Sequence, residues 1–162
     1  MAKVARVGDT ATIEDESLKD TMDNETPPPP DSRELDEDTG EFYDCYSSPP
    51  SIEVTEIIKA KGESTVKIFA NGRPVLTADS KFSDIKINYY DRKFELDDKK
   101  QIKYANGKPE YSDSLKRTET IDGIECKEGS PSVFANGSPI ARKGDKLSKG
   151  KIDSGSSNVF VP

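Results

Sequence analysis

The sequence predicts an all-β protein assembled from short hairpins that recur along one chain. Three observations support this prediction. A six-residue hairpin motif occurs three times, and stretches of alternating apolar and polar residues lie between the copies. No convincing helical pattern is present, the weak candidate being residues 113–116.

The composition limits how much of the chain can form a compact core. Apolar residues make up 31% of the 162 residues and charged residues 34%, and this apolar share is well below that of ordinary globular domains. The remaining residues must be solvated, extended or covered by a partner. The net charge of −7 makes nucleic acid an unsuitable partner.

The acidic charge is concentrated near the N-terminus. Residues 14–44 hold 13 acidic and two basic residues, a net charge of −11, so the remainder carries −7 + 11 = +4. Four consecutive prolines, Pro27 to Pro30, form a stiff stretch that cannot join a sheet ladder. We therefore predict a single domain over 1–162 with an inserted acidic, proline-rich loop region over 14–50. Two alternatives are a short structured piece around Phe42, Tyr43 and Tyr46, and disorder.

Strand patterns begin after the insertion. Residues 52–58, 66–69 and 85–89 combine β-branched or aromatic residues with apolar positions, and the last of these segments alternates strictly between apolar and polar residues. Phe94 and Leu96 are predicted to lie in the strand that pairs with 85–89.

The hairpin motif reads aromatic-Ala-Asn-Gly-x-Pro and lies within residues 68–74, 103–109 and 133–139. Asn-Gly between apolar runs predicts a tight reversal because both residues tolerate positive φ. Proline fixes φ and removes a hydrogen-bond donor where the next strand begins. The three copies predict three similar corners of one body. Their motif residues are Asn71, Gly72, Pro74, Asn106, Gly107, Pro109, Asn136, Gly137 and Pro139.

A second repeat overlaps the first. Residues 4–10 resemble 140–146, residues 127–134 resemble 152–160, and 62–66 are a weaker copy of this last unit. The repeat pattern thus starts and stops in the middle of a unit. This predicts a closed body in which the last half-unit pairs near the first. The motif residues of this second repeat are Gly8 and Asp9 in the first copy and Ala141, Arg142, Gly144 and Asp145 in the second copy.

This repeated unit resembles the PAAR family, which is named for a Pro-Ala-Ala-Arg signature. The stretch Pro139–Asp145 matches that signature with Ile140 in place of the first alanine. The resemblance is good over 2–10 and 124–162, partial over 62–80, weak over 85–115 and absent over 14–50. It implies a small three-sided β cone with a pseudo-threefold repeat. Such cones cap the blunt end of a trimeric β-helical spike in phage tails, pyocin-like particles or type VI secretion systems.

The resemblance also implies a zinc site near the apex, but its usual His and Cys ligands are absent here. The sequence has no His and two cysteines, and Asp122 and Ser148 stand where relatives place a Cys. Cys126 lies too close to Gly129 to replace it, and Cys45 lies in the insertion. We therefore predict no metal. The chain also lacks a histidine base, a Gly-x-Ser-x-Gly elbow and a phosphate-binding loop, so we predict that it is not an enzyme.

The expected function is that of a structural spike tip that helps to pierce the target envelope. One copy is expected to bind a homotrimeric β-helical spike protein and to touch the envelope transiently. The chain shows no signal peptide, so we expect synthesis in the cytoplasm and delivery to a virion tail tip or a secreted apparatus. The predicted spike interface comprises Val66, Ile68, Phe69, Val133, Phe134, Val159 and Phe160.

Two other functions are consistent with the sequence. The chain can be a non-enzymatic β-repeat binding module with no affinity for a spike. It can also be an effector whose 14–50 insertion is functional. Acidic loops in that insertion are suited to docking on a basic partner, although they can equally be a solvated decoration that keeps the protein soluble.

Overall fold

A computed structural model of the protein describes residues 1–13 and 18–162. Every regular element in these residues is a β-strand, so the prediction of an all-β fold is confirmed. The chain divides into two compact units. Unit 1 comprises Met1–Leu18, Ile57–Lys86 and Glu119–Pro162, and unit 2 comprises Lys19–Glu56 and Ile87–Thr118. Residues 14–17 of the predicted insertion lie outside the described residues.

Most strands of the described residues are short, and eight of the seventeen form antiparallel hairpins with the next strand in the chain. In chain order they are β1 (Ala2–Lys3), β2 (Thr10–Thr12), β3 (Ser32–Leu35), β4 (Phe42–Cys45), β5 (Ser51–Ile58), β6 (Ala60–Glu63), β7 (Phe69–Ala70), β8 (Arg73–Pro74), β9 (Lys81–Phe82), β10 (Ile85–Phe94), β11 (Tyr104–Ala105), β12 (Lys108–Pro109), β13 (Tyr111–Ile121), β14 (Phe134–Ala135), β15 (Ser138–Pro139), β16 (Lys151–Ile152) and β17 (Phe160–Val161).

The three Asn-Gly hairpins form as predicted. They are β7–β8, β11–β12 and β14–β15, and in each the aromatic residue pairs with the motif proline across the turn. The three asparagines have φ between 51° and 53°, and the following glycines have φ between 76° and 80°. Positive φ at both central residues defines the reversal that matches the twist of hairpin strands. The turn is therefore determined by these two residues.

Unit 1 contains a curled four-stranded antiparallel sheet in the order β16-β2-β6-β9. Its alternate residues are buried, including Ala11, Ala60 and Phe82. Gly62 lies in β6, two residues after Ala60, and pairs with Phe82 of β9. A Cβ built on Gly62 would lie 2.3 Å from Leu76 Cδ1. Only a residue without a side chain lets Leu76 pack against this strand.

Unit 2 includes residues 19–50 of the predicted insertion. Strands β3 and β4 form a hairpin in register from Ser32↔Cys45 to Leu35↔Phe42, and this hairpin includes two of the three aromatic residues proposed for a structured piece. The longer strands β5, β10 and β13, whose residues belong mostly to unit 2, form a sheet in the order β13-β10-β5. The weak helix candidate 113–116 lies in strand β13.

Unit 2 has its own small core. Tyr46, Phe94 and Ile102 are buried together, and Leu96 packs against them. Phe94 is the last residue of β10, so the prediction that Phe94 and Leu96 lie in its partner strand is wrong. Strand β10 instead runs through ten residues, with Ile85 and Ile87 buried at its start and, in the opposite phase, Arg92 and Phe94 buried at its end. Leu96 bridges to Ile102.

A buried arginine fastens the N-terminal part of unit 2 to its sheet. Arg92 is 2% exposed and donates two hydrogen bonds to the carboxylate of Asp113, at 2.8 and 2.9 Å. It also donates to the backbone carbonyls of Met22 and Asn24 and lies 4.1 Å from the ring centroid of Tyr111. The hydrogen bond with Asp113 raises the pKa of Arg92. A buried guanidinium needs such paired, charge-assisted contacts.

Candidate docking site

Three backbone hydrogen bonds form a closed cycle in unit 1. The amide of Ala5 donates to the carbonyl of Ala141, the amide of Ala141 donates to Leu76, and the amide of Leu76 donates to Ala5, each at 2.9 Å. All three residues are completely buried. We call these three residues the backbone ring. Bridges between neighbouring residues, such as Val4↔Arg142 and Arg6↔Val75, extend the pairing on either side.

Each member of the ring follows a short strand of equivalent position. Leu76 follows β8, Ala141 follows β15, and Ala5 follows β1. Strands β8 and β15 pair with β7 and β14 across their Asn-Gly turns, whereas β1 pairs with β17, in the register Ala2↔Val161 and Lys3↔Phe160. The two ends of the chain therefore take the place of a hairpin, which confirms the predicted closure of the last half-unit on the first.

The hairpin at 103–109 is not the third corner of this body. Asn106, Gly107 and Pro109 form the predicted turn, but the residues around them belong to unit 2. The prediction that the three Asn-Gly copies make three corners of one body is therefore wrong for this copy. The motif specifies a turn, and the turn alone does not determine which core the hairpin packs on.

Two of the three loops that follow the ring are closed by the same device. The amide of Arg6 donates to the Asp9 carboxylate at 2.7 Å, and the amide of Arg142 donates to the Asp145 carboxylate at 2.7 Å. The guanidinium of Arg142 also pairs with Asp145 at 2.8 Å, which raises the pKa of that arginine. Between the paired residues, Gly8 and Gly144 have φ of 88° and 93°, which favours glycine there.

The third loop keeps the backbone contact without the ion pair. Here the amide of Thr77 donates to the hydroxyl of Ser80 at 2.9 Å. Thr77 and Ser80 thus occupy the positions of Arg6 and Asp9. The sequence indicates only a partial resemblance over 62–80 and does not single out Thr77 and Ser80 in this copy, because the residues at its charged and glycine positions differ. The spacing from the motif proline, Pro74 or Pro139, to the ring residue was the signal that could have found it.

The core beneath the ring is also made of equivalent residues. It comprises one apolar residue before each ring member and the second residue of each paired strand. These are Val4, Val75, Ile140, Ala70, Ala135 and Val161.

The predicted interface residues fall into two groups. Val66 and Val133 are partly buried against this core. Three phenylalanines, the first residues of β7, β14 and β17, are exposed: Phe69 by 60%, Phe134 by 55% and Phe160 by 43%. Ile68 and Val159, which precede two of them, are also exposed. The three aromatic rings therefore stand at equivalent positions around the backbone ring and are not used by the core.

The donors present in the described residues do not fit a metal site. No group of three or more His, Cys, Asp or Glu side chains is arranged there to hold a metal ion. Cys126 is buried in unit 1, and burial raises the pKa of its thiol to about 11. Cys45 is buried in unit 2, and both cysteines are free. These thiols serve as small packing groups.

Comparisons with protein-family models, with curated proteins and with solved structures found no match for this chain. Among the described residues, no helix is long and apolar enough to cross a membrane.

Proposed function

We propose that this chain is a non-enzymatic spike-tip protein of the PAAR type. One copy caps a trimeric β-helical spike, sharpens its end and contacts the target envelope. The observation that carries the proposal is the set of exposed phenylalanines, Phe69, Phe134 and Phe160, at three equivalent positions around the backbone ring.

A threefold-symmetric partner explains this arrangement. A trimer presents the same surface three times around its axis, so one chain binds it best through three equivalent contacts. Large apolar side chains that project from a core at such positions are typical of an interaction surface. We infer that unit 1 has pseudo-threefold symmetry and the form of a small three-sided cone, with these phenylalanines at its base.

The paired strands offer a second kind of contact. Strands β7, β14 and β17 each belong to a two-stranded sheet. Within the described residues, each of these strands therefore pairs with a single other strand. A β-helix ends in open strand edges that aggregate unless they are covered. Three short strand pairs with an aromatic residue on each are suited to covering three such ends.

The proposed role is mechanical and requires a stiff tip. The buried ring, the two Arg–Asp loops and the pairing of the chain ends all hold the body of unit 1 together. In the proposed machine, this chain is delivered at the tip of a virion tail or secreted apparatus. A metal is not needed for the role.

Native mass spectrometry tests the proposal directly. This protein is mixed with the trimeric spike protein from the same source, and a species with one copy per three spike chains is expected. Phe134→Asp should abolish that species because it places a charge in an apolar contact. Tyr104→Asp is the matched control, since Tyr104 is 59% exposed in the same motif but belongs to unit 2, and it should bind normally.

One observation favours the alternative of a binding module. Unit 2 has its own core, and its two segments contain 18 acidic and ten basic residues, a net charge of −8. Such a charge suits a basic partner. If only free monomer appears with the spike, or if the two Asp variants bind alike, the spike-tip proposal fails and the binding-module function replaces it.

A further inference from the structure

The three loops of unit 1 differ in what fills the space beside them. At the first position the Arg6 side chain is 11% exposed. Its Nε donates to Asp9 at 3.2 Å, and its Nη1 donates to Oδ1 of Asn71, the turn asparagine of the neighbouring hairpin, at 3.1 Å. A guanidinium thus fills the space between its own loop and the next turn. Arg142 fills the corresponding position with its pair to Asp145.

At the third position this space is open. A groove of about 410 Å³ lies there, and its lining includes Thr77, Ser80 and Asn136. These residues are the equivalents of Arg6, Asp9 and Asn71, in that order. The groove volume lies within the range of small-ligand sites. The space that a guanidinium occupies in the first copy is therefore accessible from outside in the third.

The groove offers acceptors that suit a cation with several N–H groups. The hydroxyls of Thr77 and Ser80 are on buried residues, and the carboxylates of Glu63 and Asp79 are on exposed residues. Asp79 accepts a hydrogen bond from Ser138 and retains further acceptor capacity. With Lys81 also in the lining, the charged side chains sum to −1, and no ion pair to Glu63 or Asp79 occurs within the part of the chain that the structure describes.

We propose that this groove binds the guanidinium group of an arginine side chain supplied by a partner protein. The incoming group takes the place that Arg6 takes in the first copy, with Asn136 and the two hydroxyls as acceptors and Asp79 as the charge partner. Arginine suits the site better than lysine, because its planar fork donates five hydrogen bonds in fixed directions, whereas an ammonium is a compact point charge. The proposal does not depend on the spike-tip function.

Titration of the ¹⁵N-labelled protein with N-acetyl-arginine amide tests this inference by NMR. Shift changes are expected at the amides of Thr77, Ser80 and Asn136, with half-saturation on the order of millimolar, as suits a single side chain. N-acetyl-lysine amide should need roughly fivefold more ligand for the same change. A pentapeptide with a central arginine should produce the same pattern if the group is presented on a chain.

A double variant separates the groove from general charge effects. Thr77→Arg with Ser80→Asp reproduces the first copy and fills the groove internally, so it should abolish the response. The matched control, Ser112→Arg with Ser114→Asp, adds the same two charges on exposed positions of strand β13 and should bind as the original protein does. If the first variant does not fold, Asp79→Asn should weaken binding by about threefold to tenfold, since it removes the charge of one acceptor.

Four results would overturn the inference. The first is an equal response to the arginine and lysine compounds, and the second is an unchanged response in the filled or Asp79→Asn variant. The third is a set of shift changes that spread over the surface without a centre at Thr77. The fourth is a peptide that gives no response while the free amide binds, which would contradict a partner's arginine as the source of the group.

Discussion

The hairpins at 133–139 and 103–109 have the same motif and the same turn geometry but different surroundings. Both pair an aromatic residue with a proline across Asn-Gly. Ala135 is 1% exposed in the core of unit 1, whereas the corresponding Ala105 is exposed in unit 2. The difference shows that the motif determines a local reversal, while the segments on either side determine what the hairpin packs against. Identical local structure can therefore serve a core in one unit and a surface in another.

Introducing a charge at these two alanines is the strongest test of the comparison. Ala135→Asp should lower the free energy of unfolding by about 4 kcal/mol, because an unpaired carboxylate would be forced into an apolar core. Ala105→Asp should change it by less than about 0.5 kcal/mol, as exposed substitutions do. Urea denaturation followed by circular dichroism measures both. Equal losses would mean that the two hairpins are packed alike, and would contradict the assignment of 103–109 to a separate unit.

The local turns and the closure of the chain were predictable from the sequence, whereas a copy that keeps its backbone contact but not its residue types was not. Asn71-Gly72 and its two copies were predictable because positive φ is a property of the residues themselves. The closure of β1 on β17 was also predictable, because the repeat is cut in the middle of a unit. In contrast, Thr77 and Ser80 retain the backbone contact of their copy without its residue types, so the pattern did not reveal them.

The second unit could not be predicted from local patterns. Its core joins Tyr46, from the acidic insertion, to Phe94 and Ile102, which are about 50 residues further along the chain. Acidic and proline-rich composition predicts a solvated loop, and it says nothing of a distant sheet that the loop packs on. Arg92 illustrates the point, since a charged residue becomes buried only because Asp113 and two carbonyls meet it there.

The buried thiol of unit 1 gives a pH-dependent test of that unit. Burial raises the pKa of Cys126 from 9.0 to about 11. Between these values the folded state holds a proton that the unfolded state has lost, so stability falls as the pH rises. This contribution is complete below about pH 9, and about 2 kcal/mol of it is lost by pH 11.

Cys126→Ala provides the reference for that test, because it removes the thiol while other groups titrate as before. The difference in urea midpoint between the two proteins should shrink or reverse as the pH is raised from 8 to 11. A constant difference over this range would show that the thiol ionises as readily in the folded state as in the unfolded one, and hence that this part of unit 1 is open to water.

The turn glycines should respond alike in the two hairpins. Gly137 and Gly107 have φ of 80° and 78°, and a Cβ on either meets no atom within 4 Å. Alanine at each position should cost about 1 kcal/mol, since the strain of positive φ is local. Equal losses in denaturation would confirm that the turn is independent of its surroundings. A much larger loss at Gly137 would show that the core of unit 1 also determines the turn.

The smallest expected effect concerns the exposed aromatic residues. Phe134→Ala and Tyr104→Ala should each change the free energy of unfolding by less than about 0.5 kcal/mol, because both side chains are more than half exposed. The two variants should nevertheless differ in binding to a trimeric spike, because only the loss of Phe134 removes one of the three proposed contacts. A large loss of stability in Phe134→Ala would assign that ring to folding. A phenylalanine that contributes nothing to folding, and that recurs at three equivalent positions, would support the proposed contact with a partner.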